Sequence, residues 1–492
     1  MKMYRWLFCV AALFFSSQNL MAQVPIEAVT FDQSGGTGTQ STPFPISLTT
    51  IAEGDTVSFF KMISSGSGGP EGTGFGAAVA WLENGTDIKA ITFAQNGGGA
   101  LSTSGVLNLA TVSPGAVVTD LLLGGSEPQT SGLGAVVVWV ENGVNIKAVT
   151  FDALGMSSFI SSTISLGTAA AGASFFRLTG DFPESSANEA VVAWVEGLNI
   201  KAVSFYQNNV SGSSAPLDFM ATVSGPITDF QLTGRTSAFD IFADGNVAIA
   251  WVESGVNIKA VPLNCATLSL GSVSSGVAQN FQLVGTFPAT DVSGAAVAWM
   301  EDGANFKAVT FQCTNSGVED KSPILSLGSA SGTVTDLQLI GSFPEASGSG
   351  AAIAWVENGT DIKAITFNAY ITFSFTKTSP LLLASATSGM ISNFRFVGSS
   401  PEAAGAGAAV AWTENGTDIK AVTFNAFDTT STISPPISLG TTLSNIGDFA
   451  FTGNSPETVG KGAAVAWILV PQTVTTDTPR SWKRPSNPRV RH

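Results

Sequence analysis

The sequence contains almost no histidine and very little cysteine. Its one histidine, His492, is the last residue, which excludes histidine-based triads and proton shuttles and leaves no histidine for a metal site in the body of the chain. Beyond Cys9 near the N-terminus, only Cys265 and Cys313 remain, each six residues after a repeated lysine. Equivalent positions in adjacent repeats of a ring are expected to lie beyond the ~7 Å Cα separation of a disulfide. Two free thiols are therefore favoured, and whether they are bridged stays open.

Long apolar runs are also missing, apart from one near the N-terminus. Lys2 and Arg5 precede an apolar run from Trp6 to Phe15, and Ala22 offers a cleavage point before Gln23. This pattern predicts a secretory signal peptide over residues 1–22. No later segment reaches membrane-spanning length without interruption by Gly, Ser or charge. We expect an exported protein, located in the periplasm, on the cell surface or in the medium.

Basic residues are scarce between the two ends of the chain. Residues 24–470 carry 14 Lys and Arg against 35 Asp and Glu, a net charge of −21. Such an acidic body disfavours nucleic acid and anionic membranes as partners. Five of the 21 basic residues lie in the last thirteen positions, so residues 471–492 are predicted to be a basic, Pro-rich, disordered tail that folds back on the body or tethers it elsewhere.

One phrase recurs through the rest of the chain: Ala-Val-Ala-Trp-Val-Glu-Asn-Gly-x-Asn/Asp-Ile-Lys-Ala-Val-Thr-Phe. Two apolar runs flank an Asn-Gly turn, which predicts a β-hairpin of strands C and D. Both runs are apolar at nearly every position, as in strands covered on both faces. The repeated tryptophans, 48 to 58 residues apart, are Trp81, Trp139, Trp194, Trp251, Trp299, Trp355, Trp412 and Trp467.

Two further strand-like runs precede each tryptophan. Strand A is Ile-Ser-Leu-Gly or a relative, with a weaker version at Phe219, and strand B is Asp-Phe-x-Leu-x-Gly, in which Phe59 and Phe175 replace the polar residue. Four strands per repeat, in the order A, B, C, D, indicate a propeller blade.

The chain ends predict how the repeats close. Residues Ile26 to Phe31 form a D strand without a C strand before it, and Ala464 to Val470 form a C strand without a D strand after it. Pairing them completes an eighth blade and leaves no open sheet edge. The sequence therefore predicts an all-β, eight-bladed β-propeller of four-stranded antiparallel blades over residues 23–470. An outer-membrane barrel is disfavoured because its strands alternate apolar with polar residues.

The repeat also carries a resemblance. The phrase Trp-x-Glu-Asn-Gly-x-Asn-Ile-Lys-Ala resembles the Trp-centred repeats of secreted bacterial β-propellers of the sialidase-like and WD40-like type, across residues 24–470. The resemblance implies a propeller fold and is one of repeat style. The Asp-box of sialidases, Ser-x-Asp-x-Gly-x-Thr-Trp, is absent.

Repeated charges admit a functional and a structural interpretation. A lysine in each of the seven C–D hairpins either forms a cationic collar or rests on the indole across the hairpin, and we favour the second. The turn carboxylates are interpreted as hairpin residues. These sets are Lys89, Lys147, Lys201, Lys259, Lys307, Lys363 and Lys420, and Glu83, Glu141, Glu196, Glu253, Glu301, Glu357 and Glu414.

The loops between strands B and C provide the candidate ligand-binding residues. We expect these loops to share one face of the propeller with the blade-to-blade connections. Pro-Glu recurs there, either as a collar of carboxylates or as a simple turn, at Glu71, Glu184, Glu345, Glu402 and Glu457. The B–C connection is longer in repeats one and four. The fourth repeat replaces Pro-Glu by an irregular loop carrying aromatic and charged residues, our first candidate for recognition: Arg235, Phe239, Asp240, Phe242 and Asp244.

Together these features predict a monomeric, non-enzymatic binding or scaffold propeller for a protein or glycan, without cofactor, metal or catalytic residues. The alternative is a glycoside-processing enzyme that uses the B–C loop carboxylates. Sialidase-like chemistry would require an arginine cluster, yet Arg177 and Arg395 fall at one repeat position four blades apart. A third possibility, a self-assembling surface-layer or adhesion component, would show as association in light scattering.

Overall fold

A computed structural model gives the structure of the chain. It describes residues 24–34, 37–40, 45–64, 77–96, 100–125, 134–154, 157–170, 172–180, 190–205, 217–218, 223–234, 247–262, 266–285, 294–313, 319–341, 351–369, 375–398, 408–426, 431–453 and 463–469. All regular structure in these ranges is β-strand. The described ranges contain no helix with the length and hydrophobicity needed to cross a bilayer.

Eight antiparallel sheets form the eight blades of a β-propeller, which confirms the predicted fold class. Each sheet has the strand order B-C-D-A. We number the blades by their B strands along the chain. The B strands are Val57–Ser64, Val118–Gly125, Ser174–Gly180, Ile227–Gly234, Gln279–Gly285, Val334–Gly341, Ile391–Gly398 and Ile446–Gly453. The C strands are Ala77–Glu83, Ala135–Glu141, Ala190–Glu196, Val247–Glu253, Gly294–Glu301, Ala351–Glu357, Ala408–Glu414 and Ala463–Leu469.

The D and A strands complete the blades. In blade order, the D strands are Asp87–Asn96, Asn145–Leu154, Asn199–Phe205, Asn257–Pro262, Asn305–Cys313, Asp361–Ala369, Asp418–Ala426 and Val24–Ser34. The A strands are Leu107–Thr111, Ile164–Thr168, Leu217–Asp218, Leu268–Ser272, Leu325–Ser329, Leu381–Ser385, Ile437–Thr441 and Ile46–Ile51. Short strands pair with the far end of the D strand in six blades: Ala100–Thr103, Ser157–Ile160, Glu319–Lys321, Phe375–Lys377, Ser431–Ile433 and Thr37–Gln40.

The position of strand A differs from the prediction. Each A run pairs with the D strand that precedes it in the chain, so Leu107–Thr111 pairs with Asp87–Asn96. A blade therefore reads B, C, D, A along the chain rather than A, B, C, D. The physical reason is that A follows D by a tight antiparallel return, whereas the next B strand belongs to the neighbouring blade. The predicted weak A run at Phe219 is a two-residue strand at Leu217–Asp218, and Phe219 itself lies outside the described residues.

The ring is closed by the two ends of the chain, as predicted. Val24–Ser34 pairs with Ala463–Leu469 in register, from Ile26 opposite Ile468 to Phe31 opposite Ala463. The eighth blade, which we call the seam blade, thus takes strands B and C from the C-terminal end and strands D and A from the N-terminal end. The B strands contact each other in sequence, and the B strand of the seam blade contacts that of blade 1.

The core consists of eight apolar clusters, one between each pair of neighbouring blades. Trp139 of blade 2 packs with Ala78 and Ala80 of blade 1, and the same pairing of an indole with two alanines recurs in five other clusters. Trp194 packs instead with Val136 and Val138, and Trp251 with Val191 and Ala193. Small side chains on one blade leave room for the indole of the next, as close packing requires. The C strands are buried along their length, which confirms that both of their faces are covered.

The propeller has two faces with different contents. C–D turns and A-to-B connections lie at one end of the blades, which we call the turn face, because the start of strand B pairs with the end of strand C, as Val57 does with Glu83. The ends of strand B and the starts of strand C lie at the opposite end, the loop face. Since A belongs to the preceding blade, the blade-to-blade connections share a face with the C–D turns. The expectation that they share a face with the B–C loops is therefore wrong.

Candidate functional site

A Trp–Glu–Lys cluster occupies the turn face of the blades. In blade 2 the indole Nε1 of Trp139 donates to Glu141 Oε1 at 3.0 Å, and Lys147 Nζ lies 2.9 Å from Glu141 Oε2. The backbone N–H of Ser113, in the connection that arrives from blade 1, donates to the same carboxylate at 3.3 Å. One buried glutamate thus joins two strands of its own blade to the preceding blade.

The cluster recurs around the ring with small variations. In blades 3 and 4 the indole N–H groups of Trp194 and Trp251 have no hydrogen-bond acceptor among the described residues. The ion pairs are Lys89–Glu83, Lys147–Glu141, Lys201–Glu196, Lys259–Glu253, Lys363–Glu357 and Lys420–Glu414. Donors from the incoming connection also reach Glu253, Glu301, Glu357 and Glu414.

Hydrogen bonds lower the pKa of Glu141, Glu253, Glu357 and Glu414. Burial raises the pKa of Glu141, but hydrogen bonds from Lys147, Trp139 and Ser113 outweigh burial and hold that pKa at about 2. The pKa values of Glu253 and Glu357 are also lowered to about 2 against the effect of burial. A carboxylate with so low a pKa is not a proton donor near neutral pH. The arrangement suits structural cohesion rather than acid catalysis.

The predicted structural role of the lysines is supported, but by a different contact. Trp139 and Lys147 are opposite each other across the hairpin, as expected. The ammonium is ion-paired with the turn glutamate, where the prediction was a cation–π contact. The turn glutamates, interpreted as hairpin residues, are buried: Glu357 is 1% exposed. The spacing Trp-x-Glu, which puts both side chains on one face of a strand, was the available signal.

The B strands present a second repeated position beside the axis, which we call the inner-ring position. Each of these residues is opposite the residue that precedes the repeated tryptophan. They are Lys61, Leu122, Arg177, Gln231, Gln282, Gln338, Arg395 and Ala450. Arg177 and Arg395 thus do share one position in blades 3 and 7, on opposite sides of the ring.

Side chains at the inner-ring position link neighbouring blades. Arg177 Nε donates to Gln231 Oε1 at 3.3 Å. Gln338 binds the backbone of blade 7 twice, donating to Phe394 O at 2.9 Å and accepting from Phe396 N at 2.8 Å. These contacts extend hydrogen bonding across blade boundaries at the centre of the propeller. Sequence reasoning missed this role, since a lone glutamine in a strand carries no distinctive pattern.

The pKa values of two aspartates near the axis are raised, whereas those of the hydrogen-bonded turn glutamates are lowered. Burial raises the pKa of Asp120, although the Leu121 N–H and the charges of Lys61 and Arg177 lower it. Burial likewise raises the pKa of Asp229, against the Phe230 N–H and Arg177. Each accepts a hydrogen bond from the next backbone N–H, at 2.9 and 2.8 Å. The polar residue of the Asp-Phe-x-Leu pattern therefore accepts a backbone N–H of its own strand in blades 2 and 4.

The ten predicted ligand-binding residues lie outside the described residues. This applies to Glu71, Glu184, Glu345, Glu402 and Glu457, and to Arg235, Phe239, Asp240, Phe242 and Asp244. The described strands on either side, such as Ile227–Gly234 and Val247–Glu253 in blade 4, end and begin at the loop face. Cys265 is also outside the described residues, so its bridge to Cys313 stays untested.

Fold and contacts define the chain as an eight-bladed β-propeller held together by Trp–Glu–Lys clusters. No protein-family model matches the chain, and no curated protein matches its sequence. Among solved structures it is similar to AofleA from Arthrobotrys oligospora, with 11% identity over 69% of this chain and 95% of that one and a TM-score of 0.35. A six-bladed fungal lectin from Aleuria aurantia has 12% identity over 67% and 96%, with a TM-score of 0.34. A putative 6-phosphogluconolactonase from Bacteroides uniformis has 12% identity over 72% and 98%, with a TM-score of 0.36. Similarity at this level does not extend to function.

Proposed function

We propose that the protein is an exported binding propeller that presents its B–C loops, above all residues 235–245, to a protein or glycan. The proposal rests on one observation: the repeated charged side chains are engaged in contacts within the ring. The turn-face glutamates and lysines are bonded to each other and to the blade connections. Residues that repeat in the seven continuous blades hold the ring, and the residues that differ between blades are left for recognition.

The ends of the blade 4 loop are held by buried structure, which supports the proposal. Phe230, in the strand before the loop, is fully buried, and Ala248, just after it, is 7% exposed. Gln231 is bonded to both Arg177 and the backbone of Phe281 in the neighbouring blades. A loop carried on such fixed ends is a favourable place for specific contacts.

The test compares phenylalanines at two places on the mature protein: the predicted recognition loop and a described outer strand. We expect Phe239→Ala combined with Phe242→Ala to weaken binding to an immobilised oligosaccharide panel, or to surface proteins of the producing cell, at least tenfold. Phe159→Ala is the matched control, since Phe159 is 46% exposed on a short outer strand. Equal binding by both variants would contradict the proposed site.

The same panel separates binding from catalysis. Saturable binding without product supports a binding propeller. Hydrolysis of any panel glycan, lost in Glu71→Gln or Glu345→Gln, would instead support the glycoside-processing alternative. Absence of saturable binding to every glycan and every surface protein would overturn the proposal.

A further inference from the structure

A cavity of about 350 Å3 lies at the turn-face end of the seam blade, beside blade 1. Its walls are mostly apolar and include Val24, Val57, Phe60 and Leu469, with Asp55 and Asp448 among the lining residues. Its volume is in the range of small-ligand pockets, roughly 300–1,000 Å3. We call it the seam pocket.

The seam pocket lies where the seam blade has no C–D turn. In blade 1, for example, Asn84 and Gly85 turn the chain with φ values of 54° and 70°, and Asn84 bonds to the incoming connection at Thr56 and Asp55. In the seam blade, strand C ends at Leu469 and strand D begins at Val24, on separate parts of the chain. The space that a turn fills elsewhere is bounded here by two strand ends.

We propose that the C-terminal segment, residues 470–492, docks into the seam pocket with Trp482 as its apolar anchor. The segment leaves the propeller at Leu469, which itself lines the pocket. Twelve residues separate Leu469 from Trp482, enough chain to return to the point of departure. In a mature chain that begins at Gln23, Trp482 is the one tryptophan outside the repeat.

The chemistry of the segment matches that of the pocket. Basic side chains surround the anchor, in the order Arg480-Ser481-Trp482-Lys483-Arg484, whereas residues 470–479 contain none. An indole suits the apolar walls, and neighbouring cations suit Asp55 and Asp448. The acidic body as a whole attracts the same segment.

Docking within one chain needs only modest intrinsic affinity. A short linker gives the segment an effective concentration in the millimolar range, so a millimolar intrinsic dissociation constant already yields substantial occupancy. Charge pairs at a solvent-accessible pocket are screened by salt, with a Debye length of about 3 Å at 1 M. Docking should therefore weaken as salt rises.

The proposal is independent of the proposed function. The seam pocket lies on the turn face, whereas the strands flanking residues 235–245 end at the loop face. Loss of binding by the blade 4 variants would leave docking of the segment unchanged, and the reverse also holds.

The experiment follows Trp482 fluorescence in the full mature chain. Subtracting the emission of Trp482→Phe from that of the wild type isolates the signal of Trp482. We expect acrylamide to quench this signal several-fold less at low salt than at about 1 M NaCl. Asp55→Asn with Asp448→Asn should remove most of the protection. Asp361→Asn with Asp418→Asn, which changes two turn-face carboxylates at other blades, should leave it intact.

Three results would overturn the proposal. The first is quenching of Trp482 at low salt as strong as that of free N-acetyltryptophanamide. The second is equal protection of Trp482 from acrylamide in the Asp55→Asn, Asp448→Asn variant and in the Asp361→Asn, Asp418→Asn control. The third is protection that rises with protein concentration, because the segment would then occupy a second copy of the chain.

Discussion

Blade 6 and the seam blade provide different hydrogen-bond partners for the indole of the repeated tryptophan. In blade 6 the carboxylate comes from strand C, as Glu357, and carries an ion pair with Lys363 of strand D. In the seam blade strand C has Leu469 at that place, and the carboxylate comes from strand D. Glu27 is opposite Trp467 and accepts its indole N–H at 3.0 Å.

The difference shows which part of the cluster is kept at the seam. Both arrangements place a carboxylate within reach of the buried indole. At the seam, Glu27 occupies the D-strand position that holds a lysine in the other blades. An unpaired buried donor costs about 1–3 kcal/mol, so the acceptor from the other end of the chain stabilises the seam blade. The indole–carboxylate bond is thus also a contact between the two termini, 440 residues apart.

The largest effect should come from breaking strand D, equally at the seam and in a continuous blade. Val29 and Val422 are matched, since each is opposite the residue two before a repeated tryptophan. Proline at either site removes a ladder hydrogen bond inside a buried strand and should lower the free energy of unfolding by about 3 kcal/mol or more. Urea unfolding measures both. If Val422→Pro lowered the free energy of unfolding and Val29→Pro left it unchanged, the seam would not be part of the ring.

Removing the carboxylate in a continuous blade should have the next largest effect. Glu357→Ala leaves Trp355, Ser331 and Lys363 without their shared acceptor, and we expect a loss of about 3 kcal/mol in the free energy of unfolding. This is the lower end for a buried pair because Lys363 is 22% exposed. Urea unfolding of the variant against the wild type checks the value, and a loss below about 1 kcal/mol would contradict the structural role.

At the seam the same change should cost less. Glu27→Ala removes one hydrogen-bond acceptor, from Trp467, and should lower the free energy of unfolding by about 1–2 kcal/mol. The comparison with Glu357→Ala measures what the lysine and the incoming connection add. A seam loss as large as that of Glu357→Ala would mean that the indole contact alone accounts for the cluster.

The smallest effect concerns the acid dependence of stability. The folded pKa of Glu357 is about 2, below its ordinary value of 4.5, so its contribution is complete above about pH 5 and is lost as the pH falls from 4.5 toward 2. The raised pKa values of Asp120 and Asp229 act with the opposite sign. Glu357→Gln should therefore lose less stability between pH 5 and 2.5 than the wild type in thermal unfolding. An identical acid slope would contradict the assignment.

The number of blades and the closure of the ring could be predicted from the sequence, because both depend on repeated local patterns. Asn-Gly turns between apolar runs define the C–D hairpins, and the unmatched strands at 26–31 and 464–470 define the seam. The assignment of strand A to a blade could not be read in the same way. An A run lies between a D strand and a B strand, and strand-like periodicity alone does not say which neighbour it pairs with.

The candidate site was less predictable than the fold. A glutamate next to an Asn-Gly turn is ordinarily interpreted as solvent-exposed, and only the tertiary structure brings Ser113 from the preceding blade onto Glu141. The inter-blade bonds of Gln338 likewise depend on two B strands that meet at the axis. The candidate recognition loop, residues 235–245, remains a prediction from its irregular sequence.

Cysteine cross-linking across the seam tests the central claim, ring closure by the two termini, most directly. Thr30 and Ala464 are opposite each other, as Thr423 and Ala409 are in blade 7. With the native cysteines replaced by serine, both double-cysteine variants should form an intramolecular disulfide to the same extent under mild oxidation, mapped by peptide mass. The mismatched pair of Thr30→Cys with Ala409→Cys should form none. A disulfide in blade 7 without one between positions 30 and 464 would contradict the closed ring.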